Sequence, residues 1–145
     1  MTSGRPLVAD TGAIYALYDA DDDHHEAVVA AQEQERGPIV VPMAVLGELD
    51  YLLRELLGVD AELDFLDSVL SGAFVLEPMT ESDLKRCREI LAQYRDLDPG
   101  LADAAVMATA ERLRTDRILT VDERDFRAVV SSTGKPFVLL PADRA

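Results

Sequence analysis

The sequence predicts an α/β protein, a three-layer α/β/α sandwich around a parallel sheet of about five strands. Three observations carry that prediction. Short runs rich in Val and Ile recur along the chain, longer segments with helical spacing lie between them, and the 145 residues suffice for one core. Strands covered on both faces require near-continuous apolarity, and a chain of this size buries roughly 70% of the surface its unfolded form exposes. No repeat or linker divides the sequence, so residues 1–145 read as a single domain.

The first strand is Leu7-Val8-Ala9, and it ends at Asp10. A polar stretch, Asp21-Asp22-Asp23-His24-His25, reads as a surface loop before the second strand, Ile39-Val40-Val41. Residues 42–57 then repeat Val45, Leu49, Leu52, Leu53 and Leu56 at helical spacing, with a second helix at 60–70. The third strand is Ala73-Phe74-Val75-Leu76. Leu84, Cys87, Leu91 and Tyr94 mark a helix over 80–94, opened by Thr80 and Asp83 as a capping box. Asp98-Pro99 reads as an N-cap before a first-turn proline, starting a helix over 100–113. The fourth and fifth strands follow at 117–121 and 136–140. Alternating strands and helices imply right-handed crossovers, and in such sheets ligands collect beyond the carboxyl ends of the strands.

Composition excludes several classes. With 48% hydrophobic and 29% charged residues the chain is neither disordered nor low-complexity. Cys87 is the only cysteine, so disulfide frameworks and Cys-based zinc sites are out, and a reducing cytoplasm is the expected compartment. No run approaches the ~20 apolar residues of a membrane span. The net charge of −14 argues against a nucleic-acid binder when taken as one number. Resolved by position it does not: residues 1–84 hold 18 acids and 3 bases, whereas 85–145 hold 10 acids and 11 bases.

Four acids stand where folding alone gives them little reason to be. Asp10 and Asp122 follow the first and fourth strands, where capping of the next helix is the simplest role. Glu48 lies three positions after Val45 and four before Leu52, on the apolar stripe of its helix. Asp103 lines up with Val106, Met107 and Ala110. A buried carboxylate is costly unless it is paired or coordinates a cation. An ion pair with an arginine is one solution; a bound metal is the more economical, since neither stripe carries a base. All-oxygen ligation suits a hard ion such as Mg²⁺ or Mn²⁺. Carboxylate-held ions of this kind point to phosphate chemistry, in a nuclease or a phosphatase. In a nuclease Asp10, Asp103 and Asp122 would hold the metal, and Glu48 would orient the attacking water or take its proton. Histidine-based cleavage is disfavoured, because His24 and His25 sit in the polar loop.

Val8-Ala9-Asp10-Thr11-Gly12, Leu46-Gly47-Glu48-Leu49, Leu101-Ala102-Asp103-Ala104 and Leu119-Thr120-Val121-Asp122-Glu123-Arg124-Asp125-Phe126 together resemble a PIN domain of the VapC type, the toxin half of type II toxin-antitoxin pairs. The likeness covers essentially the whole chain. It implies a PIN-like sheet, Mg²⁺- or Mn²⁺-dependent endoribonuclease activity on structured tRNA or rRNA, frequent homodimers and inhibition by a cognate antitoxin. By position, the family's acids match Asp10, Glu48, Asp103 and Asp122. Thr11 and Thr120 fall where the family commonly places a hydroxyl, which could contact phosphate. Asp125 is an additional acid suited to an outer role, and Gly12 stands where serine or alanine is more usual.

RNA approaching acids needs positive charge nearby. Arg112, Arg114, Arg117, Arg124 and Arg127 are expected to surround Asp103 and Asp122, with Arg124 and Arg127 as phosphate contacts; salt bridges to Glu123 and Asp125 are the competing role. The acidic N-terminal half is expected either to be solvated or to receive a basic antitoxin segment in a groove between the helices at 42–57 and 60–70. Other readings fare worse. Asp10-Thr11-Gly12 matches the aspartic protease tripeptide, but that fold is all-β. A phosphatase-like or receiver domain needs a lysine near the last strands, and Lys135 lies at the wrong end. A catalytically inactive PIN-like binding module would have lost acids that this chain keeps.

Overall fold

The computed structural model describes residues 4–143, and they form five strands and seven helices. In order these are β1 (Leu7–Ala9), α1 (Thr11–Tyr18), α2 (His25–Gln34), β2 (Ile39–Pro42), α3 (Leu46–Leu57), α4 (Val59–Leu70), β3 (Val75–Glu77), α5 (Glu81–Gln93), α6 (Gly100–Arg112), β4 (Arg117–Leu119), α7 (Glu123–Ala128) and β5 (Val138–Leu140). The strands pair entirely in parallel, in the order β3-β2-β1-β4-β5. Val8 stands opposite both Val40 and Ile118, which fixes the register at the centre of the sheet.

The predicted architecture is the observed one. The chain runs outward from β1 through β2 to β3, then crosses back over β1 to lay down β4 and β5. With right-handed crossovers, that reversal puts α1–α4 on one face and α5–α7 on the other. The helix contacts agree, α1 meeting α2 and α3, and α6 meeting α5 and α7. Between the layers, Leu7, Val8, Ile14, Leu49, Leu53, Phe65, Met107, Ile118, Leu119, Phe126 and Leu139 are fully buried. β1 and β2 are buried at every residue, as their unbroken apolarity requires; β3, at the edge, leaves Val75 exposed.

Local signals explain the boundaries. A 3₁₀ turn at Met43–Val45 precedes α3, because Pro42 still belongs to β2. Gly58 ends α3 at φ 99°, donating its N–H to the carbonyls of Leu53 and Arg54, a left-handed stop that favours glycine. Thr80 and Asp83 form the expected capping box, each side chain accepting from the other's backbone N–H at 3.0 Å. Asp98 does not cap α6. Its backbone is spent closing the turn after α5, with φ 54° and its N–H on the Tyr94 carbonyl, so Pro99 takes the cap position. His25 opens α2, so only the first of the two histidines remains outside a helix.

Ion pairs tie the layers together. Arg112 donates to Asp83 at 3.0 Å and Glu77 at 2.8 Å, Arg86 grips Glu111 at 2.7 Å, and Arg117 grips Glu35 at 2.6 Å. No helix among the described residues is long and apolar enough to cross a membrane.

Candidate active site

The reversal of strand order falls at β1, and ligand crevices open beyond the carboxyl ends of the strands at such a point. Asp10 is the residue after β1. Its N–H donates to the Leu119 carbonyl at 2.9 Å, and its side chain caps α1 by accepting from the Thr11 N–H at 2.7 Å. The second carboxylate oxygen accepts from the Thr120 hydroxyl at 3.0 Å. That hydroxyl in turn accepts from the Asp122 N–H at 3.0 Å, and Asp122 caps α7 through the Arg124 N–H at 3.2 Å. Both strand-end acids are therefore caps and site residues at once. One threonine hydroxyl links them.

α6 brings the third acid, and α7 brings Asp125, the additional acid expected in an outer role, into the group itself. Oxygens of Asp103, Asp122 and Asp125 all lie within 4.8 Å of one another. Asp125 sits one turn after Asp122 and is buried beside Phe126, with one carboxylate oxygen that meets no hydrogen-bond donor. The Thr11 hydroxyl, also buried, has no partner either. The sequence signal for Asp125 was available: an Asp-x-x-Asp spacing puts both side chains on one side of a helical turn.

The electrostatics are those of an uncompensated acidic pocket. Burial pushes the Asp10 carboxyl up to about 6 against the hydrogen bonds from Thr120 and Thr11, and the charges of Asp122 and Glu48 add to the rise. Asp103 is raised further, first by burial, then by direct contact with Asp125 and by the charges of Asp10 and Asp122. Among the described residues none of these four aspartates joins an ion pair. The arginine alternative raised by the sequence finds no partner among these residues. Three convergent hard oxygen donors and an orphaned buried oxygen, with no ion-paired base among the described residues, suit a divalent ion of the Mg²⁺ class.

Glu48 departs from expectation. It is exposed, because the buried row of α3 is Val45, Leu49 and Leu53, and Glu48 belongs to the adjacent row with Leu52 and the 62%-exposed Leu56. It nevertheless contributes to the field at Asp10. The arginine rim is also smaller than expected. Arg112 is committed to Asp83 and Glu77, and Arg117 opens β4 at the opposite end of the strand from Thr120. Arg127 is held by Glu123 at 2.9 Å and Asp143 at 2.6 Å. Arg124 alone on α7 is exposed with a side chain that has no ion-pair partner among the described residues. Gly12 has a steric reason: a Cβ there would lie 3.3 Å from the Val121 side chain, so the glycine lets α1 approach the turn that carries Asp122.

Known proteins share this fold. The PIN domain family matches residues 7–131. Ribonuclease VapC26 of Mycobacterium tuberculosis is 36% identical over 135 residues, spanning 93% of this chain and 100% of that protein. Among solved structures, M. tuberculosis VapC20, a sarcin-ricin loop cleaving toxin, superimposes with a TM-score of 0.71 at 21% identity, covering 77% of this chain and 86% of that one. VapBC2 from Rickettsia felis, bound to a DNA fragment from its promoter, gives 0.64 at 16% identity, covering 86% and 92%. The two structures share the fold. With a family match spanning β1 to the segment after α7, and a relative matched along its whole length, this chain belongs to the PIN domain family.

Proposed function

We propose that the protein is a metal-dependent endoribonuclease, the toxin of a type II toxin-antitoxin pair acting on structured RNA in the cytoplasm. The observation that carries this reading is the convergence of Asp103, Asp122 and Asp125 beside Asp10, with a buried carboxylate oxygen left unpartnered and no basic side chain paired with the group among the described residues. The resemblance to a named ribonuclease over the full length supports RNA as the substrate.

In this reading Asp103 and Asp122 hold a Mg²⁺ or Mn²⁺ ion, with Asp125 joining them and Asp10 bordering the same pocket. When bound, such an ion supplies Lewis acidity toward a phosphoryl oxygen and lowers the cost of deprotonating water. Thr120 fixes the Asp10 carboxylate and the Asp122 backbone with one hydroxyl, which holds the two strand ends in register. The Thr11 hydroxyl is buried and meets no partner among the described residues, so it would serve the pocket from behind Asp10. Glu48, exposed and adding to the field at Asp10, would take a proton from the attacking water. Arg124 contacts the RNA backbone outside the acidic pocket; Arg127 serves the fold of α7 instead.

The partner surface is apolar. Leu56, Leu63, Leu66 and Leu70 are exposed on α3 and α4, where an antitoxin helix would lay its apolar face, and the acidic N-terminal half would attract its basic residues. The family likeness also supports a homodimer. Incubation of structured tRNA and rRNA fragments with the protein in Mg²⁺ or Mn²⁺ tests the activity. Cleavage that disappears with chelator and in Asp103→Asn is the expected outcome; cleavage that persists in both would overturn the metal mechanism.

A further inference from the structure

We propose that the cleft beside Thr120 is a nucleobase subsite, seating one unpaired base of the RNA next to the scissile phosphate and admitting amino-bearing bases in preference to uracil. The inference rests on the ribonuclease reading above and deepens it. The cleft has a volume of about 310 Å³ and is lined by His24, Ala27, Thr120, Val121, Glu123 and Pro141. It shares Thr120 with the acidic pocket, and Thr120 is the residue whose hydroxyl bonds both Asp10 and Asp122. A group in the cleft is thus a neighbour of whatever the carboxylates act on.

The lining favours a base over a phosphate. Among the described residues it contains no lysine or arginine, so it offers an anion no positive charge of its own. His24, Ala27, Val121 and Pro141 offer one aromatic ring and apolar surface, which is what an unstacked base requires. The two adjacent histidines are in different situations. His25 is fixed by a 2.7 Å contact between its Nδ1 and the Ala16 carbonyl, whereas the His24 ring is exposed and has no hydrogen-bond partner among the described residues. A volume near the low end of ligand pockets, roughly 300–1,000 Å³, suits a single heterocycle.

Glu123 supplies the discrimination. Arg127 donates twice to its Oε1, at 3.2 and 2.9 Å, which anchors the carboxylate and leaves Oε2 as an open acceptor. Adenine, cytosine and guanine each carry an exocyclic amino group that can donate to it; uracil has none, and its single N3–H donor is flanked by two carbonyl oxygens that a carboxylate disfavours.

Two measurements on the full chain test the proposal. In the first, AMP, CMP, GMP and UMP are titrated in Mg²⁺ while the NMR signals of His24 and Ala27 are followed. The three amino-bearing nucleotides should shift both signals with UMP about tenfold weaker, His24→Ala should weaken all of them about tenfold, and Glu123→Gln, whose amide can donate to a carbonyl, should erase or reverse the discrimination. Unmoved signals, or UMP binding as well as the others to the wild type, would overturn the subsite. In the second, the ends produced from a random RNA pool are sequenced. A flanking base preference that moves toward uracil in Glu123→Gln supports the subsite; cleavage without preference, beside an unresponsive cleft, removes it and leaves the ribonuclease reading intact. A responsive cleft in a protein that cuts no RNA does the reverse.

Discussion

Replacing Asp10 by asparagine should abolish activity and yet make the metal-free protein more stable near neutral pH. Asp10 is 6% exposed, and its carboxyl is displaced from an ordinary 3.8 to about 6 chiefly by burial. Because the folded-state value lies above the unfolded one, the folded chain holds the proton more tightly. The associated penalty is absent below pH 3.8, grows as pH rises, and is complete above about 6. At ~1.36 kcal/mol per pH unit it amounts to about 3 kcal/mol. Asparagine keeps the shape: its oxygen can still accept from the Thr11 N–H, and the Thr120 hydroxyl can turn toward the Asp122 carbonyl, 3.2 Å away, and accept from the new amide. The variant should therefore gain about 2–3 kcal/mol at pH 7.5 in chelator. For a chain of this size each kcal/mol moves the midpoint by roughly 2–4 °C, so thermal unfolding followed by circular dichroism reads a rise of about 4–12 °C. At pH 4 the gain should vanish. An unchanged midpoint at pH 7.5, or an equal gain at both pH values, would refute the account of Asp10 as an uncompensated buried acid.

Other expectations concern the metal, the RNA and the frame. Asp125→Asn should lower Mn²⁺ affinity at least tenfold by calorimetry, and unchanged affinity would return Asp125 to a purely structural role. Metal uptake near pH 6 should release protons, since Asp10 and Asp103 are raised and an ion must displace what they hold; calorimetry in buffers of different ionisation enthalpy measures this, and a buffer-independent heat would contradict it. Arg124→Ala should weaken RNA binding and flatten its salt dependence, while Arg127→Ala should leave the salt slope unchanged; identical slopes in both variants would dissolve the distinction. Arg112→Ala strands the buried Asp83 and should cost about 3 kcal/mol in urea unfolding, where a loss below ~1 kcal/mol would mean that Asp83 finds another partner.

The placement of several of these candidate residues was legible in the sequence. Asp10 and Asp122 were readable because buried parallel strands are short apolar runs, and the residue after such a run stands at the sheet's carboxyl edge. Asp103 was readable because Val106, Met107 and Ala110 fixed the phase of α6. Glu48 was misplaced because α3 carries two adjacent leucine-rich rows, and sequence spacing does not say which one faces the sheet; packing chose Val45, Leu49 and Leu53. The arginines were overcounted for a different reason. Their proximity to the acids in sequence was real, but three-dimensional partners from distant segments, Glu35, Glu77, Asp83 and Asp143, claim Arg117, Arg112 and Arg127.

The turn between β4 and α7 concentrates a surprising share of the chemistry. Residues 120–127 include the hydroxyl that links the strand ends, two of the carboxylates that converge, the arginine without an ion-pair partner among the described residues and the glutamate of the proposed base cleft, while only Asp125 and Phe126 of α7 are buried. Such a segment is portable. Exchanging it between relatives of the same fold, with Phe126 kept as its one core side chain, would test whether substrate choice travels with a single short stretch of chain.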